Sequence, residues 1–167
     1  YAMKSGYEHF MYADQDDVWR KDKIELSISS IRKIEKERGK QYPLLLHTDM
    51  QVADDTLNII HQSHMQYRGI HHTNKRSMNT LLVQNFVTGC SMACNRALLS
   101  LATPVPGYSI MHDWWLALCA SLYGEIIYLD ESTLLYRQHD MNRIGAHRYS
   151  PLPNPFRLNA LTLWLNR

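Results

Sequence analysis

The chain has 167 residues, of which 45% are hydrophobic, and its 18 Lys and Arg residues against 16 Asp and Glu residues leave a net charge of +2. This composition excludes collagen-like, coiled-coil and disordered proteins, because the hydrophobic content is high and the net charge is near zero. The sequence pI of about 8.5 is below the range typical of domains with a concentrated basic surface, so we expect no nucleic acid partner.

The cysteine count and the hydropathy pattern bear on the cellular location of the protein. The three cysteines, Cys90, Cys94 and Cys119, cannot all pair within one chain, which favours a reducing environment. The longest apolar run, residues 114–120, is much shorter than the roughly 20 residues that cross a bilayer. The first twelve residues lack the pattern of a signal peptide. We therefore expect a cytoplasmic protein with no membrane span in this chain.

Strands and helices alternate along the chain, which predicts the α/β class. In chain order we predict a strand at 9–13, a helix at 21–38, a strand at 44–46, a long loop at 61–77, a strand at 86–94, helices at 95–102 and 113–122, a strand at 125–129, an extended segment at 134–136 and a terminal amphipathic helix at 156–165. We expect the terminal helix to pack on the domain, with binding to a membrane surface as the alternative.

An acidic cluster follows the first predicted strand. Asp14 and Asp16 stand two residues apart at the strand end, and oxygen ligands of this kind hold Mg²⁺ or Mn²⁺ that is also bound to substrate phosphates. Such an ion would stabilise the charge of a leaving diphosphate during sugar transfer. The alternative is an acidic turn in which Asp17 caps the following helix.

Two further candidate segments lie nearer the C-terminus. One hypothesis is that Asp113 accepts a proton from an attacking hydroxyl while Trp114 and Trp115 line a sugar-sized slot. The alternative assigns Asp113 to the helix dipole and the two indoles to the core. Arg137 offers a cation and His139 an imidazole able to bind a metal, and the alternative there is a solvated loop.

Four motifs occur along the chain in a fixed order. They are Asp-Gln-Asp-Asp-Val-Trp at 14–19, Thr-Gly-Cys-Ser-Met at 88–92, His-Asp-Trp-Trp at 112–115 and Tyr-Arg-Gln-His at 136–139. As a set, spread over residues 10–145, they resemble glycosyltransferase family 2, and within it the rhamnosyltransferase-like branch that builds bacterial surface polysaccharides. The resemblance implies a GT-A fold, inverting transfer from a nucleotide-diphosphate sugar, and a divalent ion at the Asp-x-Asp motif.

The resemblance also implies roles for single residues. Asp16 matches the direct metal ligand and His139 a supporting ligand, while Asp14 matches a position nearer the ribose and the metal-bound waters. Arg137 matches a position that faces the diphosphate, and Asp113 matches the catalytic base. His112 stands where most of the family has an acidic residue.

Three more residues are matched on the sugar side of the site. Gly89 matches a small position where the backbone approaches the donor or acceptor sugar, although strand geometry alone accounts for a glycine there. Trp114 and Trp115 are candidates for stacking on sugar rings, and we expect at least one of them in the core.

The first part of the family's catalytic domain has no counterpart before Asp14. We therefore expect a partial GT-A fold, a mixed sheet flanked by helices that lacks the nucleotide-binding half. Residues 1–150 are then the C-terminal part of the domain, and residues 151–167 a proline-rich connector and terminal helix. The uncovered sheet edge leads us to expect self-association.

The function implied is transfer of rhamnose or a similar deoxysugar from a dTDP- or UDP-sugar to a glycan or lipid-linked glycan. We expect this in the cytoplasm, with the inner face of the cell membrane as a peripheral location. The alternative is a non-catalytic module that keeps the fold for assembly or glycan binding. A third hypothesis, metal-dependent phosphoester hydrolysis, leaves the His-Asp-Trp-Trp motif without a role.

Overall fold

A mixed six-stranded sheet organises the residues that the computed structural model describes, which are 4, 6–73, 77–139, 145, 146, 148 and 149. The strands are β1 (His9–Met11), β2 (Val18–Trp19), β3 (Leu44–Ala53), β4 (Ile59–His61), β5 (Met92–Asn95) and β6 (Glu125–Arg137). Their order is β1-β5-β3-β6-β2, and β4 pairs with the end of β3. The β3–β6 pair is parallel and every other pair is antiparallel. The predicted α/β class with a mixed sheet is confirmed.

Helices cover both faces of this sheet. They are α1 (Lys23–Arg38), α2 (His64–Arg68), α3 (Ser77–Leu81), α4 (Arg96–Ala102) and α5 (His112–Tyr123). Side chains alternate between the two faces of a strand, so Leu44 and Leu46 of β3 pack with Ile31 of α1. Leu45 points to the other face and belongs to the cluster that contains Leu116 of α5. The central strands are therefore buried on both sides, and the helices predicted at 21–38, 95–102 and 113–122 are confirmed.

The two longest strands extend beyond their predicted limits. His47, Thr48 and Asp49, predicted to follow the second strand, lie inside β3 and are buried. The reason is that β3 is central, so its ladder of hydrogen bonds with β6 continues through polar residues, with register shifts around Asp49. The segments predicted separately at 125–129 and 134–136 are likewise parts of one strand, β6.

Two predicted segments differ in the structure. The loop predicted at 61–77 contains α2, which begins after Ser63, whose hydroxyl accepts a hydrogen bond from Gln66 N, and ends at Gly69 with a left-handed φ of 64°. The strand predicted at 86–94 is limited to β5, because Gly89–Ser91 forms a 3-10 turn before it. The terminal helix predicted at 156–165 and the connector at 151–167 lie outside the described residues.

β1 and β2 form the two edges of the sheet, although only residues 12–17 separate them. Crossing four strand spacings covers about 19 Å, whereas the seven residue steps from Met11 to Val18 reach at most about 24 Å. The connection therefore has little slack and passes over the ends of the strands between the edges. This path places the acidic cluster beside the Gly89–Ser91 turn and the end of β6. Self-association through either edge stays a prediction.

Candidate functional site

The acidic segment contributes to a cluster of three potential ligand atoms. One atom each from Asp14, Asp17 and Cys90 lies within 4.8 Å of the other two. Asp14 is exposed, Asp17 is half-buried and Cys90 is buried. The cluster forms because Cys90 lies in the 3-10 turn, beneath the connection between β1 and β2.

Among the described residues, Asp17 is the carboxylate that has a buried oxygen without a hydrogen-bond partner. Its Oδ1 accepts a hydrogen bond from Arg137 N at 3.4 Å, whereas its buried Oδ2 has no hydrogen-bond partner among the described residues. Burial raises the pKa of Asp17 to about 6, and the negative charges of Asp14 and Asp16 add to this, whereas the neighbouring Cys90 thiol and the Arg137 backbone N–H lower it. A nearby cation would relieve both causes of the raised pKa.

Cys90 offers a sulfur atom, which suits softer metals than Mg²⁺ or Mn²⁺. Burial raises the pKa of its thiol above the usual range, and the neighbouring Asp17 charge acts in the same direction. The thiol lies 3.6 Å from Met50 Sδ. The ligands that remain are the oxygens of Asp14 and Asp17, and carboxylate oxygens suit Mg²⁺ or Mn²⁺. The oxygens of Asp14 and Asp17 therefore fit a hard divalent cation, and the direct ligand role predicted for Asp16 stays a prediction.

Asp16 and His139 are brought together by the structure. His139 Nε2 lies 2.6 Å from Asp16 Oδ2, and both side chains are about a quarter exposed. Their predicted roles as metal ligands stay predictions. The alternative in which Asp17 caps α1 is wrong. The residue at the N-cap is Asp22, and β2 lies between Asp17 and the helix.

Asp113 lies in the first turn of α5 and is 3% exposed. Its Oδ2 accepts a hydrogen bond from Gly89 N at 2.9 Å. Its Oδ1 accepts from Trp114 N at 2.6 Å and from Asn85 Nδ2 at 3.3 Å. Burial raises the pKa of Asp113, while the backbone hydrogen bonds and His112 act in the opposite direction. The carboxylate is therefore fixed in place and is a stronger proton acceptor than an exposed one.

Gly89 touches the Asp113 region through its backbone. A Cβ at this position would lie 3.2 Å from His112 Nε2 and 3.5 Å from Asp113 Oδ2. A side chain would thus crowd His112 and would be in ordinary contact with Asp113. This close approach explains the glycine better than strand geometry does, since Gly89 is outside β5. The His112 ring in turn stacks on Tyr12, with 5.1 Å between ring centroids.

Gly89 and Cys90 are consecutive residues, and they connect the two halves of the site. The Gly89 amide binds the Asp113 carboxylate, and the Cys90 thiol contributes to the cluster with Asp14 and Asp17. One three-residue turn therefore contacts both the candidate base and the acidic cluster.

The two tryptophans are anchored in the protein. Trp114 Nε1 donates to Leu81 O at 2.6 Å, and Trp115 Nε1 donates to Ala102 O at 2.8 Å. Both rings pack against the core cluster that covers α5. These contacts favour the core alternative, and stacking on sugar rings stays a prediction. Arg137, which ends β6, reaches the cluster through its backbone N–H, and the predicted contact of its side chain with a diphosphate is likewise not tested.

Sequence reasoning missed two contributors. The sequence indicates no site role for Cys90, although the residue stands inside the Thr-Gly-Cys-Ser-Met motif. Asn85 precedes the predicted strand. Its side chain donates a hydrogen bond to Val87 O and accepts one from Val87 N, and it also donates to Asp113 Oδ1. Its position three residues before that motif is the only sequence signal for its role.

Comparison of the chain with protein-family models, with curated proteins and with solved structures finds no match. Across the described residues, none of the helices combines the length and the apolar character needed to cross a membrane.

Proposed function

We propose that this protein is an inverting glycosyltransferase with a partial GT-A fold. It transfers rhamnose or a similar deoxysugar from a dTDP- or UDP-sugar to a glycan or lipid-linked glycan of a bacterial surface polysaccharide, at the cytoplasmic side of the membrane. The observation that carries the proposal is the 3-10 turn, in which Gly89 binds Asp113 while Cys90 adjoins Asp14 and Asp17. A transferase of this kind needs a base and an anion-stabilising group on opposite sides of one sugar carbon.

Asp113 is the catalytic base in this proposal. Its carboxylate takes the proton of an acceptor hydroxyl, and the hydroxyl oxygen forms a bond to the anomeric carbon as the bond to the diphosphate breaks. Hydrogen bonds from Gly89 and Trp114 hold the carboxylate during the attack. Because attack comes from the face opposite the diphosphate, the configuration at that carbon is inverted.

Asp14 and Asp17 would hold Mg²⁺ or Mn²⁺ on the donor side. When bound, the ion would stabilise negative charge on the departing diphosphate. The unpartnered Oδ2 of Asp17 and the exposed carboxylate of Asp14 supply the oxygens. His139 keeps Asp16 oriented beside them through the 2.6 Å contact.

Calorimetric titration with dTDP and UDP, with and without Mn²⁺, tests the proposal. We expect binding that requires Mn²⁺ and that falls at least about tenfold in Asp17→Asn, since one of two charged ligands is lost. The control is Asp55→Asn, which removes an exposed carboxylate from the turn after β3. Absence of any Mn²⁺-dependent nucleotide binding would reject the donor site and favour a non-catalytic module.

A further inference from the structure

Lys23, the first residue of α1, is buried at a position where the fold does not require a lysine. The side chain is fully buried at 0% exposure, whereas lysine is almost never fully buried unless it is paired. Its position at a helix N-terminus is also unfavourable, because the helix dipole repels a cation there. Burial lowers the pKa of Lys23 to about 8, against the opposing influence of Cys90 and Asp17. An apolar side chain of similar volume would satisfy the fold at lower cost.

The Lys23 ammonium begins a chain of buried hydrogen bonds. Nζ donates to Thr133 Oγ1 at 3.1 Å, and it lies 5.1 Å from the centroid of the Trp19 ring. Thr133 Oγ1 is 2.6 Å from Thr48 Oγ1, and the Thr48 hydroxyl donates to Ser91 O at 3.5 Å. Since each hydroxyl has one proton, the Thr133 hydroxyl must donate to Thr48 for all three bonds to form together. The chain therefore has one direction, from Lys23 to Ser91.

The end of this chain is the turn that joins the two halves of the candidate site. Ser91 is the last residue of the Gly89–Ser91 turn, in which Gly89 binds Asp113 and Cys90 adjoins Asp14 and Asp17. Thr133 and Thr48 are fully buried on the paired strands β6 and β3. A connection from α1 through the sheet to the turn is thus shielded from water, where hydrogen bonds are electrostatically stronger, and its longest link is the 3.5 Å bond from Thr48 to Ser91 O.

We infer that Lys23 is a positioning residue, which holds the Gly89–Ser91 turn through Thr133 and Thr48 and so keeps Asp113 aligned with the acidic cluster. The catalytic meaning of this inference rests on the proposed function, whereas the connection itself does not. By holding the turn, Lys23 keeps a fixed spacing between the Asp113 carboxylate, which takes the proton, and the acidic cluster on the side of the diphosphate.

Hydrogen exchange of the backbone amides tests the connection without any assay of activity. The variants are Lys23→Met, which removes the charge and keeps the chain length, and Thr133→Val, which removes one hydroxyl and keeps the shape. The matched control is Ser27→Ala, because Ser27 is also fully buried on α1 and its hydroxyl has no partner in the described part of the chain.

We expect the amides of Gly89 and Ser91 to exchange about tenfold faster in both variants, as for the loss of one buried hydrogen bond. The double variant should exchange no faster than the single ones, because both interrupt the same chain. Ser27→Ala should leave these amides unchanged, and the amides of α5 should be unaffected throughout. Unchanged exchange at the turn would overturn the inference, as would an equal acceleration in Ser27→Ala or along α5.

Steady-state transfer adds a readout that a purely structural role would not move. In both variants kcat should fall at least about tenfold while KM for the donor stays within about twofold, because alignment is lost and binding is kept. An unchanged kcat beside faster exchange would overturn the positioning role. If the unmodified protein transfers no sugar, the proposed function fails, and the exchange data still decide whether Lys23 holds the turn.

Discussion

Asp49 and Asp17 are both withdrawn from bulk water, but the protein satisfies only one of them. Asp49, in the middle of β3, is 5% exposed. Its Oδ1 accepts hydrogen bonds from Met50 N at 2.8 Å and Met65 N at 3.1 Å, and its Oδ2 accepts from the Ser63 hydroxyl. These hydrogen bonds hold α2 against the sheet, and they occupy both oxygens of the Asp49 carboxylate.

Asp17 has the opposite balance. One oxygen accepts a single long bond from Arg137 N, and the other has no partner in the described ranges. Asp14 lies close enough to share a cation with it. The comparison teaches that the type and burial of a residue do not reveal its role. What separates a structural carboxylate from a candidate ligand is whether its lone pairs are already occupied.

Asp113 gives the largest expected effect, because it has the satisfied oxygens of Asp49 and a raised pKa like that of Asp17. Asp113→Asn should lower kcat for transfer about 10³-fold, since the amide cannot accept the proton. Mn²⁺-dependent nucleotide binding should remain, as should cooperative unfolding. Initial rates of sugar transfer check this, with Asp55→Asn as the control. Turnover within tenfold of the unmodified protein would contradict the assignment of the base.

His47 should give the next largest effect, which concerns stability against pH. Burial, together with the neighbouring His72, lowers the pKa of His47 to about 3, so between that value and the ordinary 6.5 the unfolded chain binds the proton and the folded protein does not. Stability is therefore complete above pH 6.5 and falls as the pH falls, by about 3 kcal/mol at pH 4 for this residue. Burial lowers the pKa of His64 to about 4, which acts in the same direction.

Urea unfolding between pH 4 and pH 8 measures this effect in His47→Gln. The slope of unfolding free energy against pH should become smaller in the variant, whatever its absolute stability. His71→Gln, which changes an exposed histidine, should leave the slope as it is. A slope unchanged by His47→Gln would show that His47 does not titrate as its burial requires.

Asp49→Asn should destabilise the protein by about 2 kcal/mol, because the new amide N–H₂ must face either Ser63 or the backbone N–H groups that now donate to the carboxylate. Urea unfolding at pH 7.5 measures the loss. Mn²⁺ binding should be the same as in the unmodified protein. A neutral effect on stability, or a loss of metal binding, would remove the distinction drawn between Asp49 and Asp17.

Asp17→Asn should have the smallest effect on stability, and of opposite sign. The folded pKa of about 6 lies above the ordinary value, so the stability contribution of Asp17 is present at low pH and is lost as the pH rises through 6. Removing the charge should therefore stabilise the protein by about 1 kcal/mol or less at pH 7.5, once solvent screening is allowed for. Urea unfolding at pH 7.5 without metal checks this. Destabilisation there would mean that Asp17 is a structural carboxylate like Asp49.

Much of the fold is predictable from local patterns. The isoleucine spacing of α1 and the asparagine before α4 indicate helices directly, because amphipathic period and N-capping depend on neighbouring residues. Asn95 does accept from Leu98 N, and it also binds Leu44 N across the sheet. The ends of β3 and β6 are not predictable in this way. Their polar residues stay in the strands only because each strand has partners on both sides.

The candidate site likewise has residues that local sequence patterns indicate and residues that they do not. Asp14, Gly89 and Asp113 were identified as candidates from their motifs, and the structure brings them to one turn. That an Asp17 oxygen lies close to Asp14 and Cys90 depends on the path from β1 to β2 across the sheet. The contributions of Asn85 and Lys23 depend on contacts with residues far away in the chain.

By itself the sequence determined the α/β class, the three main helices and the motifs that supply candidate acids and bases, since these follow from periodicity and from side-chain chemistry. Only the tertiary structure decided which carboxylates are satisfied by the fold and which oxygens are left for a cation. The physical reason is that hydrogen-bond satisfaction and desolvation are set by groups that the chain brings together from distant positions.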